Sequence, residues 1–97
     1  MKLPSAKNYP KFINVNDEKY ELRMVTRIPG SDKGDLGMCD DGRKIIWIRK
    51  NQSQMGIFRT FIHEILHACE CEHSIKIKHE QIYALELALS ALIVDNL

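Results

Sequence analysis

Residues 58–72 read FRTFIHEILHACECE, and this stretch decides how the rest of the chain folds. At about 100° of rotation per residue in an α-helix, its apolar side chains collect on one broad face. The residues on that face are Phe58, Phe61, Ile62, Ile65, Leu66 and Cys69. His63 and His67 fall on the other side of the helix, with Glu64 at the edge of the apolar face. The stretch therefore predicts a helix that buries one face in the core and presents two histidines to a cleft.

His63, Glu64 and His67 form the pattern HExxH. Residues four apart lie one turn apart on the same face of a helix, so both imidazoles can bind one metal ion. Glu64 projects from the same turn, where it can take a proton from a water molecule activated by the metal and later pass it to a leaving amine. The pattern predicts a zinc-dependent hydrolase with Glu64 as general base. The structural alternative is an amphipathic helix with two surface histidines and a solvated glutamate.

A catalytic zinc ion usually has three protein ligands and one open position, so a third ligand is needed. His79 lies beside the apolar stripe at the start of a predicted second helix, and it is favoured because packing of the two helices would bring it to the metal. Glu86 lies on that stripe, where a buried carboxylate needs a metal or a ligating histidine as its partner. His73 has the spacing of the third histidine in HExxHxxGxxH, although Glu70 occupies the glycine position. The remaining alternatives are Glu80, which lies opposite the stripe, and a site with no third protein ligand.

The composition limits the classes of protein to which the chain can belong. The chain of 97 residues is expected to form one domain, 1–97, and its 44% hydrophobic and 28% charged residues are ordinary for a globular protein. A net charge of +1 argues against a domain that binds nucleic acid through its phosphates. No apolar run approaches the roughly 20 residues that span a bilayer, and residues 1–5 lack the apolar segment of a secretory signal. An odd number of cysteines, three, argues against a disulfide framework, so we expect a cytoplasmic protein with no membrane partner.

The first half of the chain predicts strands and the second half predicts helices. Residues 1–11, rich in Lys, Pro, Asn and Ser, are expected to form a loosely held arm. Alternating apolar residues and turn signals predict strands at 12–15, 18–27, 36–39 and 44–49, with turns at 16–17 and 40–42. The first two of these strands should form a hairpin, and the last is the strongest because it is apolar through its middle.

The central helix should start within 51–54, where Asn51 or Ser53 can cap its free N–H groups, and run to about Cys71. Residues 74–78 alternate in polarity and predict a very short strand or an extended link. A second helix is predicted at 79–95, with the apolar stripe Ile82, Leu85, Leu89, Leu92 and Ile93. Strands first and helices afterwards predict an α+β fold.

From about residue 36 to residue 97 the chain resembles the small SprT-like and ImmA/IrrE-type zinc metallopeptidases that phages and bacteria often encode. The residues that carry the resemblance are His63-Glu64-Ile65-Leu66-His67-Ala68, His79-Glu80-Gln81-Ile82, Ala88-Leu89, Asp95-Asn96 and the strand Lys44-Ile45-Ile46-Trp47-Ile48. The resemblance implies a minimal zincin, in which a small, mostly antiparallel sheet packs on the HExxH helix and a second, C-terminal helix closes the site. It also implies a phage or bacterial protein in the cytoplasm, or in the host cytoplasm if a phage encodes it.

The same resemblance implies roles for individual residues. Zinc would be held by His63, His67 and His79, and Glu64 would be the general base of a peptidase that hydrolyses a protein or peptide substrate. The strand at 44–49 would border the cleft and pair with the extended substrate. The chain lacks the zinc-ribbon or DNA-binding extensions of the larger SprT-like proteins, so a DNA-linked role is not expected.

Two functions stay open at this point. The first is a zinc metallopeptidase, in which Tyr83 is the nearest candidate for stabilising the tetrahedral intermediate and the loops 29–35 and 72–78 would set specificity. The second is a non-catalytic phage or bacterial interaction module, whose structural or vestigial zinc site holds two helices together.

Overall fold

A computed structural model describes residues 3–31 and 34–96 of the chain. Its regular elements are β1 (Phe12–Val15), β2 (Glu18–Val25), β3 (Gly37–Asp40), β4 (Ile45–Arg49), α1 (Gln54–Glu72) and α2 (His79–Asp95). Among the described residues every strand precedes both helices, which confirms the α+β prediction. Residues 1–2 of the predicted arm, residues 32–33 of the predicted loop, and Leu97 lie outside the described residues.

The predicted boundaries lie close to the observed ones. The strand at 12–15 and the helix at 79–95 have the predicted limits, whereas β2 ends two residues before the predicted position 27. Residues 75–78 have no regular structure and form an extended link rather than a strand. Ser53 rather than Asn51 caps α1, because the Ser53 hydroxyl accepts a hydrogen bond from the Gly56 N–H at 3.0 Å.

The sheet is mixed, with the strand order β1-β2-β4-β3. β1 pairs antiparallel with β2, and β3 pairs antiparallel with β4, so the sheet consists of two hairpins. The hairpins meet through a parallel pairing of β2 with β4, which the strand pattern did not predict. β4 therefore lies inside the sheet, and β3 forms an edge.

β4 is buried on both faces, as expected for a central strand. Ile46 and Ile48 belong to the main core between the sheet and α1. Ile45 and Trp47 form a smaller cluster with Ile28, which belongs to the connection between β2 and β3. Ile28 thus packs on the outer face of the sheet, and β3 lies beyond β4 rather than beside β2.

α1 buries a wider face than its apolar pattern predicted. Phe58 and Ile62 are buried as expected, and Phe61 packs against the main core. The other buried residues of α1 are Ile57, Thr60, Glu64 and Ala68. Glu64 is only 6% exposed, so it lies inside the structure rather than at the predicted edge of the apolar face.

α2 packs against the rest of the molecule through a different face from the predicted one. Its buried residues are Ile82, Glu86 and Ser90. The stripe prediction was wrong for Leu85 and Leu92, which are 38% and 60% exposed. The residues of α2 are apolar almost all round the helix, so their spacing could not select the buried face.

The segment predicted as an arm contributes to the core from Ala6 onward. Ala6–Asn8 form a short 3-10 turn, and Ala6 and Tyr9 pack against the main core. The Tyr9 ring contacts the Phe61 ring edge to face, with 5.1 Å between the ring centroids. Within 3–31 and 34–96, no helix is long and apolar enough to cross a membrane.

The C-terminal end of α1 is tied to the sheet by Glu72. The Tyr20 hydroxyl donates a hydrogen bond to Glu72 Oε2 at 2.5 Å, and the Lys44 ammonium donates to the same oxygen. The Asn16 side chain also donates to the Glu72 carbonyl oxygen at 3.0 Å. The hydrogen bond from Lys44 is the largest cause that lowers the pKa of the Glu72 carboxyl below its usual value, and the bond from Tyr20 is the second.

This pKa shift predicts how stability depends on pH. Because the pKa of Glu72 is lower in the folded chain, Glu72 stabilises the fold above its ordinary pKa, and the contribution disappears as pH falls through the folded value. The free energy of unfolding should therefore be larger for the native chain than for Glu72→Gln near pH 7, and the difference should shrink as pH falls below the ordinary pKa of a glutamate. Urea unfolding of both proteins across this range measures the difference. A difference that does not change with pH would contradict the role given to Glu72.

Candidate metal centre

The packing of α2 on α1 brings three histidines together. His63 and His67 project from the middle of α1, and His79 is the first residue of α2. One ligand atom from each ring lies within 4.8 Å of the others. Three imidazole nitrogens at this separation can bind one metal ion together. The structure thus assembles the three residues that the sequence favoured as ligands.

Carboxylates hold two of the three rings through their Nδ1 atoms. His63 Nδ1 lies 2.8 Å from Glu86 Oε1, and His67 Nδ1 lies 2.9 Å from Glu70 Oε1. An ionised carboxylate only accepts hydrogen bonds, so each Nδ1 donates its proton to its carboxylate. In the neutral form of each ring, Nε2 then has the free lone pair through which a metal can bind.

Glu86 supports the cluster rather than joining it. It is only 7% exposed, and its second oxygen accepts from Nε and Nη2 of Arg59, each at 3.0 Å. The sequence analysis gave two possible partners for a buried carboxylate at this position, a metal or a ligating histidine. In the structure the partner is His63. Arg59 and His63 together compensate the burial of this negative charge.

Glu70 has a structural role that the sequence pattern did not reveal. Besides contacting His67, it accepts a hydrogen bond from the Ile77 N–H at 2.9 Å. The hydrogen bond from the Ile77 N–H is the main cause that lowers the pKa of the Glu70 carboxyl below its usual value, and the contact with His67 adds to it. Glu70 thereby holds the link between the helices two residues before His79. The sequence could have indicated the contact with His67, because Glu70 lies three residues after it, one turn along the same helix face.

The other two candidate ligands lie outside the cluster. His73 is exposed and follows the last residue of α1, where its backbone N–H bonds to the Cys69 carbonyl at 2.9 Å. Glu80 is exposed in the first turn of α2. Neither residue belongs to the group of side chains that could share a metal with His63.

Glu64 lines the same cleft as the histidines, which has a volume of about 750 Å³. Burial raises the pKa of the Glu64 carboxyl to about 7, and the negative charges of Glu86 and Asp35 add to the effect. A cation held by the histidines would lower this pKa again.

Strand β3 forms the wall of the cleft opposite the histidines. Leu36, Gly37, Met38 and Cys39 all line the cleft. The prediction that the strand at 44–49 would accept a substrate was wrong, because β4 already pairs with β2 on one side and with β3 on the other. The free edge next to the cleft belongs to β3.

Tyr83 lies beside the histidine cluster, one turn after His79. Its ring centroid is 5.1 Å from that of His63 and 5.5 Å from that of His79. The residue is 54% exposed and lines the cleft. The sequence named Tyr83 as a candidate to stabilise an intermediate, and the structure puts its ring within reach of a molecule in the cleft.

Comparison with known proteins assigns no family to this arrangement. No family model matches the chain, and no curated protein or solved structure shows significant similarity to it. The α+β fold and the side chains of the cleft are therefore the basis for a functional assignment.

The contact between β3 and α1 predicts the effect of one methyl group. A Cβ atom at Gly37 would lie 2.5 Å from Thr60 Cγ2 and 2.9 Å from Glu64 Oε2. Gly37→Ala should therefore push β3 away from α1 and lower the free energy of unfolding by about 1–3 kcal/mol, measured by urea denaturation. Gly34→Ala is the matched control, since a Cβ atom there meets nothing within 4 Å.

A second substitution tests the cause of this loss. Thr60→Ser removes the methyl group nearest to the added atom and keeps the hydroxyl, which donates to the Gly56 carbonyl at 2.8 Å. Gly37→Ala combined with Thr60→Ser should recover part of the lost stability. If Gly37→Ala and Gly34→Ala had the same free energy of unfolding, β3 would not approach α1 as closely as described.

Proposed function

We propose that this chain is a zinc-dependent peptidase that hydrolyses peptide bonds in a protein or peptide substrate. The observation that carries the proposal is the convergence of His63, His67 and His79 in one cleft with the buried carboxyl of Glu64. Three neutral imidazoles match the ligand preference of a catalytic zinc ion and leave one coordination position for water or substrate. His63, His67 and His79 would hold the metal.

The proposed chemistry divides between the metal and one side chain. A bound zinc ion supplies Lewis acidity, which polarises a carbonyl group and makes a water molecule acidic near neutral pH. Glu64 takes the proton of the attacking water and then delivers it to the leaving amine. Its burial in the same cleft favours this role, because burial raises the pKa of the Glu64 carboxyl and makes it a stronger base than an exposed glutamate. Tyr83, beside His63 and His79, is the candidate to donate a hydrogen bond to the carbonyl oxygen.

The substrate would bind along β3. The Arg49 N–H bonds to the Leu36 carbonyl at 2.9 Å, so residue 36 and every second residue after it direct their backbone groups toward β4. Gly37 and Cys39 then direct their N–H and C=O groups toward the free edge. An extended peptide added there would run beside Glu64 and the histidines.

The resemblance to SprT-like and ImmA/IrrE-type peptidases agrees with this proposal. Its supporting features are the HExxH helix packed on a small sheet and the second helix that begins with His79. A minimal zincin is accordingly the fold that we propose within the broader α+β class. A phage or bacterial peptidase of the cytoplasm is the corresponding biological setting.

Metal content is the first test. The native chain should bind about one zinc ion, and His79→Ala should weaken binding by at least about 100-fold, measured by elemental analysis and chelator competition. His73→Ala is the matched control, because His73 lies outside the cluster and should leave binding unchanged. Equal binding by His79→Ala and the native chain would exclude His79 as a ligand. A native chain that binds no zinc, even after incubation with the metal, would overturn the proposal.

Catalysis requires a separate test with Glu64→Gln. This variant should keep its zinc and lose at least about 100-fold in the cleavage rate of a fluorogenic peptide library, because it has no base for the attacking water. Glu80→Gln, on the exposed side of α2, should cleave at the native rate. Cleavage by Glu64→Gln at the native rate would contradict its role as general base.

The same experiment separates the peptidase from the non-catalytic alternative. An interaction module with a structural zinc site would cleave no peptide in the native form, and removal of the metal would lower its melting temperature. The peptidase proposal instead requires cleavage that depends on both zinc and Glu64.

A further inference from the structure

Helix α2 buries two polar side chains beside Ile82 and exposes apolar ones on its other side. Glu86 and Ser90 are buried, whereas Leu85 and Leu92 are 38% and 60% exposed. The exposed side of the helix also contains Ala84, Ala88 and Ala91. From residue 82 to residue 94 the only charged residue is the buried Glu86. A helix whose outer side is apolar is normally covered by another element.

The exposed side has the residue spacing of a helix-pairing seam. The seam consists of Gln81, Leu85, Ala88, Leu92 and Asp95, in alternating steps of four and three residues. This average spacing of about 3.5 residues keeps a seam facing a neighbouring helix. We propose that the seam pairs antiparallel with the same seam of a second copy of this chain.

The sizes of the seam residues favour pairing with an identical helix. If the two helices cross with Ala88 opposite Ala88, then Leu85 of one copy lies beside Leu92 of the other, within one residue along the axis. By the same symmetry, Leu92 lies beside Leu85 of the second copy. The small Ala88 pair at the centre lets the two helices approach closely, and a leucine pair packs on each side of it.

The charges at the two ends of α2 support the antiparallel direction. Asp95 is at the C-terminal end and Lys78 directly precedes the N-terminal end. Each charge is unfavourable for its own helix dipole and favourable for the opposite end of an antiparallel neighbour. In the proposed pairing Asp95 lies opposite Gln81 of the second copy, three residues or about 4.5 Å from Lys78 along the helix. The lysine side chain can span that distance.

The pairing leaves the histidine cleft open. His79 and Glu86 face α1, on the side of α2 opposite the seam. The association therefore does not depend on the proposed peptidase activity, and either can fail without the other. Because a single helix contact is small for a protein interface, we expect a reversible dimer whose fraction rises with concentration.

Sedimentation velocity of the full chain between about 1 µM and 1 mM tests the pairing. The native chain should shift from monomer to dimer across this range. Leu85→Glu combined with Leu92→Glu should raise the dissociation constant at least about 100-fold, because it buries charges in the contact. Leu87→Glu is the matched control, since Leu87 is 53% exposed on α2 but lies outside the seam. Circular dichroism melting establishes that each variant is folded.

Charge reversal distinguishes this pairing from other modes of association. Asp95→Lys alone and Lys78→Glu alone should each weaken the dimer about tenfold at low salt, and the two together should restore it. Each reversal places a charge that the dipole of its own helix favours and so should stabilise α2. Loss of the dimer would therefore not come from unfolding of α2. A native chain that stays monomeric up to 1 mM, a dimer that survives Leu85→Glu with Leu92→Glu, or no rescue by the double reversal would overturn the proposal.

Discussion

The candidate site depends on the contact of the buried Glu86 carboxylate on α2 with Arg59 and His63 on α1. With this side of α2 against α1, the buried charge of Glu86 needs both partners, because a buried charge without partners costs several kcal/mol. His79 lies seven residues, or about two turns, before Glu86 and therefore projects from the same side of the helix. The rotation that buries Ile82 and pairs Glu86 also brings His79 to His67, so the ionic contact and the histidine cluster form together.

The same rotation explains the outer surface of α2. Exposure of Leu85 and Leu92 gives up apolar burial worth about 1.5–3 kcal/mol for each fully buried leucine. The observed rotation instead buries Ile82 and pairs Glu86 with His63 and Arg59. An apolar surface on a second copy would return part of the lost burial. The histidine cluster and the exposed apolar side of α2 are thus two consequences of how one helix is turned.

Much of the fold and of the candidate site could be predicted because it depends on neighbours in the sequence. Alternation and turn residues gave the strands, and the i, i+4 spacing put His63 and His67 on one face with Glu64 beside them. The parallel pairing of β2 with β4 could not be predicted, since it results from the path of a long connection held by Ile28 on the sheet. The place of β3 at the edge follows from the same path.

The sequence by itself determined the type and order of the elements, the helix with its two histidines, and His79 as the favoured third member. The elements and the two histidines follow from spacing within one segment, whereas His79 was favoured because two helices packed together would bring it to the metal. Only the tertiary structure decided the rotation of α2, the strand that borders the cleft, and the partners that Glu70 and Glu86 find. Those features depend on contacts between segments. An almost uniformly apolar helix fits several rotations by its own pattern, and only its contacts with α1 distinguish them.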